Sequence, residues 1–406
     1  MAVNYHVFSD TFLRALASAI VVTAIACAPG RAPSSSSPLR VRPSRSILPR
    51  ERPPRGVTVE VVRPGPAVSF HALAIGPEEI WVSGAGAELV RAVNTRAASQ
   101  ITWASGQIGD DPAFVVRDLE AVDRATVVAL AVDEAGRSRI FRSDDVGVTW
   151  TMVFQASQAE GAWRALAMWP YRDEGVALGD PVNGRFAVLT THDAGRTWRR
   201  PDPAEQRVVP PEALPGERLL GSAVAVGPTN EVWFGTGGSA ARVFRSDDSG
   251  LTWEVADAPL AHGHERAGVH SISFLTRTIG IAVGGDPEAP DERTGTAAWT
   301  FDSGYSWAAK VEENPAGFRS AVVFTHVVSR AILGTTAVAV GPNGADLSLD
   351  CGRTWHPMPA ATLPGEGAVE LNAVAAESGG LDFLAAGTNG AIALYKVPFR
   401  YKPPAR

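Results

Sequence analysis

The sequence predicts an all-β protein, a seven-bladed β-propeller, and three observations carry that expectation. An eight-residue motif, S/T-x-D-x-G-x-T/S-W, occurs five times. A short apolar strand ending in Gly recurs once per period ahead of it. A spare strand, Val57 to Val62, precedes the first period, while the last period lacks an outer strand.

The motif copies are Ser143 to Trp150, Thr191 to Trp198, Ser246 to Trp253, Thr300 to Trp307 and Ser348 to Trp355. With a degenerate first copy ending at Trp103, the Trp residues lie 47, 48, 55, 54 and 48 residues apart, the period of a propeller blade or solenoid unit. Each octet reads as a hairpin turn. Its Ser/Thr and Asp bond nearby backbone N–H groups, its Gly permits positive φ, and its Trp packs on the blade. Asp145, Asp193, Asp248, Asp302 and Asp350, with Trp150, Trp198, Trp253, Trp307 and Trp355, are therefore assigned structural roles, because a turn repeated around a ring does not converge on one site.

The second strand of each blade is legible in Glu79–Gly84, Gly175–Gly179, Glu231–Gly235, Gly280–Gly284, Ala337–Gly341 and Phe383–Gly387. The last blade, Glu370 to Val397, has no octet, and pairing Val57–Val62 with it would close a ring of seven without a free sheet edge. The propeller is thus expected over residues 57–397, with a tail at 398–406.

Composition bounds the rest. With 406 residues, 45% hydrophobic and 20% charged, the chain buries a large core and is neither disordered nor fibrous. Net charge is −6, and all basic residues but Lys310, Lys396 and Lys402 are Arg, so nucleic acid is not an expected partner. Two cysteines, Cys27 and Cys351, exclude a disulfide scaffold. Cys351 sits at a variable turn position and is expected to be an exposed, free thiol if Cys27 is lipidated, with a disulfide to the tether as the alternative.

Residues 1–27 read as an export signal, with a polar start, Arg14, and the apolar run Ala15 to Ala26. Ala24-Ile25-Ala26-Cys27 resembles a bacterial lipobox, with Ala24 in place of the usual Leu, so Cys27 is the expected lipidation site. Cleavage near Ala26 or Ala28 and an uncleaved anchor are the alternatives, and all three place the body outside the cytoplasm. Residues 28–56, rich in Pro, Ser and Arg, read as an extended tether, either a plain spacer or a contact with anionic lipid or polysaccharide.

The octets resemble the Asp-boxes, or bacterial neuraminidase repeats, of sialidase-type propellers. The whole body is similar to bacterial propellers related to the photosystem stability and assembly factor of cyanobacteria and plants. That likeness rests on Gly179-Asp180-Pro181, Gly235 to Ser246, Val283 to Pro287, Phe318-Arg319-Ser320-Ala321 and Val340 to Gly344. It implies a monomeric, non-catalytic binding or assembly scaffold, without cofactor or metal, for a protein or glycan partner. Some relatives carry the labels oxidoreductase or glycosyl hydrolase.

A sialidase would need a Phe/Tyr-Arg-Ile-Pro motif and a Tyr nucleophile. The motif is absent, and of the five Tyr only Tyr171 lies outside the signal, an octet and the C-terminal strand and tail. A carbohydrate-active enzyme using paired carboxylates on the channel face remains the alternative. The site residues expected on that face are Arg117, Asp118, Trp163, Arg164, Asp180, His270, Asp286, Arg319, Asn343 and Asn389, the Arg residues either recognising carboxylate or phosphate groups or tying blades to Asp. His262, His264 and His270 form the one His cluster and lack a third ligand at fixed spacing. Gly235 to Ser239 is read as a loop between strands, without the lysine or helix of a phosphate-binding loop.

Overall fold

The computed structural model describes residues 56–76, 79–93, 102–157, 161–200, 211–310, 313–325, 328–329, 332–333, 336–376 and 382–397. The export segment, Cys27, the tether to residue 55 and the tail after 397 lie outside the described residues.

The described chain is almost entirely strand. β1 (Thr58–Val62) is followed by β2 (Phe70–Ile75), β3 (Glu79–Gly84), β4 (Glu88–Val93) and β5 (Thr102–Gln107). Next come β6 (Val115–Ala121), β7 (Val127–Val132), β8 (Ser138–Ser143) and β9 (Thr151–Gln155), then β10 (Trp163–Met168), β11 (Gly175–Val182) and β12 (Arg185–Thr191). β13 (Glu217–Val226), β14 (Val232–Gly238), β15 (Arg242–Ser246), β16 (Glu254–Asp257), β17 (His264–Phe274), β18 (Gly280–Gly285) and β19 (Ala297–Thr300) form the middle of the chain. β20 (Ala321–Phe324), β21 (Val328–Ser329), β22 (Ile332–Leu333), β23 (Ala337–Gly341), β24 (Gly344–Ser348) and β25 (His356–Pro357) precede β26 (Thr362–Leu363), β27 (Gly367–Ala368), β28 (Leu371–Ala376), β29 (Phe383–Gly387) and β30 (Ile392–Lys396). Among the described residues no helix is long and apolar enough to cross a membrane.

These strands form an all-β propeller. Apart from the pairs β21–β22 and β26–β27, they make five sheets of three or four strands and one curved sheet of seven, in the order β16-β15-β14-β13-β17-β18-β19. Each blade is a meander, and β1 joins the C-terminal one, pairing antiparallel with β30 from Thr58↔Lys396 to Val62↔Ile392.

The middle strands explain the apolar runs. β7, β14, β18 and β23 are buried at every residue, because each lies between two neighbouring sheets and is covered on both faces. Ala and Gly alternate there with Val, Ile and Trp, letting sheets approach while Trp81, Trp163 and Trp233, each fully buried, fill the wider gaps. Burial of each such indole removes roughly 200 Å² from water, about 5 kcal/mol before conformational entropy is set against it.

Two expectations are corrected by packing. Cys351 is fully buried, against Ile281 and Trp355, because its turn docks on the preceding blade. Gly235 to Gly238 belongs to β14 rather than to a loop. Its glycines let β17 press against β14: a Cβ on Gly268 would lie 2.2 Å from Gly237 Cα. That approach, with the parallel bridge Ser222↔Ser271, merges two meanders into one sheet.

Candidate functional site

The blades have two chemically different ends. At one end stand the five octet turns. In each, the opening hydroxyl donates to the Asp and accepts the Gly amide, as in Ser143 Oγ to Asp145 Oδ1 (2.8 Å) and Gly147 N to Ser143 Oγ (2.8 Å). The Asp in turn accepts the backbone and hydroxyl of the seventh residue, Thr149 N at 2.8 Å and Thr149 Oγ1 at 2.7 Å. The same bonds recur around Asp193, Asp248, Asp302 and Asp350. The residue before each Gly has φ between 57° and 65°, and each Gly lies between 81° and 88°, the two positive values of a tight hairpin turn. Trp198, Trp307 and Trp355 are buried beside their turns, and the Trp253 and Trp355 indoles donate back to Gly250 and Gly352.

At the opposite end, toward the start of the innermost strand, the backbone bulges in every blade but that of β20. Pairing with the next strand skips His71 on β2, Arg117 on β6, Arg164 on β10, His270 on β17 and Asn372 on β28, and on β13 it skips the stretch holding Gly221 and Ser222. A bulge re-aims the extra side chain, and here each of these six strands presents a polar residue, whereas β20 pairs with β23 without a break. Small inter-blade ties hold this level: Asn372 Nδ2 donates to Phe70 O at 2.9 Å, Ser320 Oγ to Leu371 O at 2.7 Å, and Ser222 Oγ reaches Arg117 O at 3.0 Å.

Two bulge residues have a carboxylate at the end of their second strand, Asp180 within β11 and Asp286 just after β18. Arg164 donates through Nε (2.9 Å) and Nη2 (2.7 Å) to one oxygen of Asp180, whose other oxygen is buried without a partner. His270, in the equivalent place, feels the charge of Asp286, but burial pushes it down to about 4 and its Nε2 faces Arg266 O at 2.8 Å. Arg117 and His71 have no such carboxylate, and no ion pair joins either to an acid among the described residues. Burial and the Arg164 charge lower Arg117, and burial with the Arg117 charge pushes His71 down to about 4.

Below Arg117 lie two carboxylates. Asp118 accepts the amides of Leu119 (3.1 Å) and, across the blade gap, Leu166 (3.0 Å), yet burial raises it to about 7. Burial and the nearby Asp118 charge hold Glu120 well above the usual carboxylate range.

Four expected site residues stand elsewhere. Arg319 is 1% exposed and paired with Asp346, also 1% exposed, while Asn343 accepts from Arg319 and donates to Pro290 O and Ala316 O. The Arg319 guanidinium is turned inward by this pair, so it cannot meet a partner. Trp163 is fully buried, edge-on to Phe154, and its indole N–H has no partner among the described residues. Asn389 lies in a turn whose carbonyl accepts from Arg63 Nε at 2.5 Å. The three histidines are not brought together: His262 Nδ1 faces Leu260 O at 3.0 Å, His264 Nε2 lies 3.2 Å from Glu288, and among the described residues no cluster could hold a metal ion.

His71, Glu120, Ser222 and Asn372 are absent from the sequence-based site. Aligning the innermost strands on one another (Phe-His-Ala, Val-Arg-Asp, Trp-Arg-Ala, Val-His-Ser, Leu-Asn-Ala) would have found His71 and Asn372 as equivalents of Arg117 and Arg164.

No protein-family model and no curated protein matches the chain. Solved structures do. One, YCF48 bound to D1 peptide, superposes with a TM-score of 0.57 at 13% identity, over 84% of this chain and 97% of that one. The Pan2 WD40 domain of Neurospora crassa superposes with a TM-score of 0.58, also at 13% identity, over 87% and 99%. The likeness is one of propeller fold.

Proposed function

We propose that the chain is an exported, membrane-tethered binding or assembly propeller that takes a protein partner on the bulge face, with Arg117 receiving its acidic groups and Arg164, paired with Asp180, adding positive charge beside it. The observation that carries this reading is Arg117: an arginine aimed by a bulge into the inner face, beside a second arginine and a histidine, with no ion pair to an acid among the described residues. Arginine forks match carboxylates in geometry, and a cation without a counter-ion in a partly desolvated site favours an anionic ligand. The structural neighbour YCF48 was solved with a peptide, which is the same class of ligand.

The reading includes seven blades closed by β1. Supporting it, β2 packs on β6, β6 on β10, β10 on β13, β13 on β17, β17 on β20, β20 on β28 and β28 on β2, so the innermost strands follow one another in a circle. The octets, with their shared bonding, are read as Asp-boxes whose Asp residues are structural. Cys27 as a lipidated N-terminus and an extracytoplasmic location complete the proposal.

An enzyme with paired carboxylates would set them across an open cleft to flank a bond. Asp118 and Glu120 instead stand two residues apart on one strand, with Asp118 bonded to backbone amides. The test is capture of envelope proteins from detergent extract by the tagged mature protein and by Arg117→Ala/Arg164→Ala. A partner retained by the parent and lost from the folded variant is expected, and equal capture overturns the site. Palmitate labelling lost in Cys27→Ser tests the anchor.

A further inference from the structure

After the bulge, β2, β10 and β17 carry a small residue at the first and third positions, and β6 breaks the pattern. The first and third residues past the bulge are Ala72 and Ala74 on β2, Ala165 and Ala167 on β10, and Ser271 and Ser273 on β17, but Asp118 and Glu120 on β6. These positions face the seam with the next blade. On β17, Ser271 Oγ accepts Val322 N at 3.1 Å and Ser273 Oγ accepts Phe324 N at 3.2 Å, tying β17 to β20. Asp118 makes the equivalent tie to Leu166 N of β10, so β6 performs with a titratable acid what β17 performs with a hydroxyl.

We propose that Asp118 and Glu120 form a proton-operated latch between β6 and β10: while the pair holds a proton the seam stays shut, and its loss loosens the seam. Two ionised carboxylates on alternate residues of one strand face the same way and repel in a poorly solvated gap, whereas one shared proton removes the repulsion. Backbone amides and the Ser222 hydroxyl meet the charge on Asp118, but no cation pairs with it among the described residues. No ion pair joins either carboxylate to a cation among the described residues, Arg164 from β10 is held by Asp180, and Asp118 and Glu120 lie opposite apolar Leu130 and Val128 on β7. From β2, His71 is neutral above about pH 4, from β13 Ser222 contributes a hydroxyl, and Arg117, on the bulge, stays cationic throughout. Both carboxyls are raised, so the folded seam takes up protons as it forms, and its stability falls as pH climbs from the ordinary carboxylate range toward and past neutrality. This inference is independent of the proposed binding role.

Hydrogen exchange of the whole chain, followed by mass spectrometry on peptides from β6 and β10 and corrected for intrinsic rates, tests it from about pH 5.5 to about pH 8.5. Protection across the β6–β10 seam should fall at least about tenfold over that range, while the hydroxyl-tied β17–β20 seam stays flat. Glu120→Ala, which gives β6 the residue that β2 and β10 carry, should diminish the dependence to what buried Asp118 contributes alone, and Glu120→Gln should do the same should the Ala variant fold poorly. A wild-type seam indifferent to pH, or an undiminished dependence in the folded variant, overturns the latch.

Discussion

The indole N–H of Trp81 donates to the carbonyl of Val146 at 2.8 Å, joining the second strand of one blade to the octet turn of the next. Val146 is the first of the two positive-φ residues of its turn, and its carbonyl faces back across the seam. Trp233 repeats the bond to Ser303 O at 2.7 Å, and Arg142 donates to Ala194 O in the same place. The octets therefore serve as clasps between blades as well as turns within them. Trp81→Phe, which keeps an aromatic ring but drops the donor, should cost about 1 kcal/mol in urea denaturation, the net worth of one hydrogen bond, since Arg91 Nη1 still reaches the Val146 carbonyl at 3.5 Å. An unchanged midpoint would remove the clasp.

Acid should undo these turns. Backbone and hydroxyl donors of Thr149 draw Asp145 down to about 2, and Asp193, Asp248 and Asp302 lie below the usual carboxylate range through like bonds to Thr197, Thr252 and Ser306, against burial that works the other way. Depressed folded values mean stability that is complete above the unfolded carboxylate pKa, near about 4, and lost as pH falls toward about 2. Melting temperature measured between about pH 5 and about pH 2.5 should fall, with a shallower fall in Asp145→Ala, whose melting point is already lower at neutral pH.

Arg319 and Asp346 make a pair with both partners buried. Removal of one leaves an uncompensated buried charge, so Arg319→Ala should cost about 3–5 kcal/mol in denaturant unfolding, and Arg319→Met combined with Asp346→Leu should recover much of the loss. Arg117→Ala, at the exposed mouth, should leave the unfolding midpoint nearly unchanged. Similar losses from Arg117→Ala and Arg319→Ala would erase the distinction between a tie and a presented cation.

Gly268→Ala should unfold the junction of β14 and β17. Its φ of 155° and the 2.2 Å from its Cβ position to Gly237 Cα leave no room for a methyl, whereas a Cβ on Gly106 meets nothing within 4 Å. A melting temperature many degrees lower for Gly268→Ala, beside little change for Gly106→Ala, is expected in calorimetry, and equal behaviour of the two variants would contradict the close approach.

The sequence by itself determined whatever is local. The octet bonds join residues two to four apart, so the spelling of Ser143 to Trp150 already contains its donors and acceptors, and the apolar strand before each octet marks a blade's middle. β1 was legible too, as a strand without a hairpin partner, and it lies against β30. Tertiary structure alone decided what each polar side chain meets. Arg117 and Arg319 look alike in sequence, yet a bulge turns the first into the inner face while Asp346, 27 residues on, draws the second inward. Cys351 and Trp163 are buried, Gly237 meets Gly268, and Asp118 ties β6 to a strand 48 residues away. The physical reason is range: turn chemistry is fixed by neighbours along the chain, whereas burial, charge pairing and proton affinity depend on which blades the propeller sets side by side.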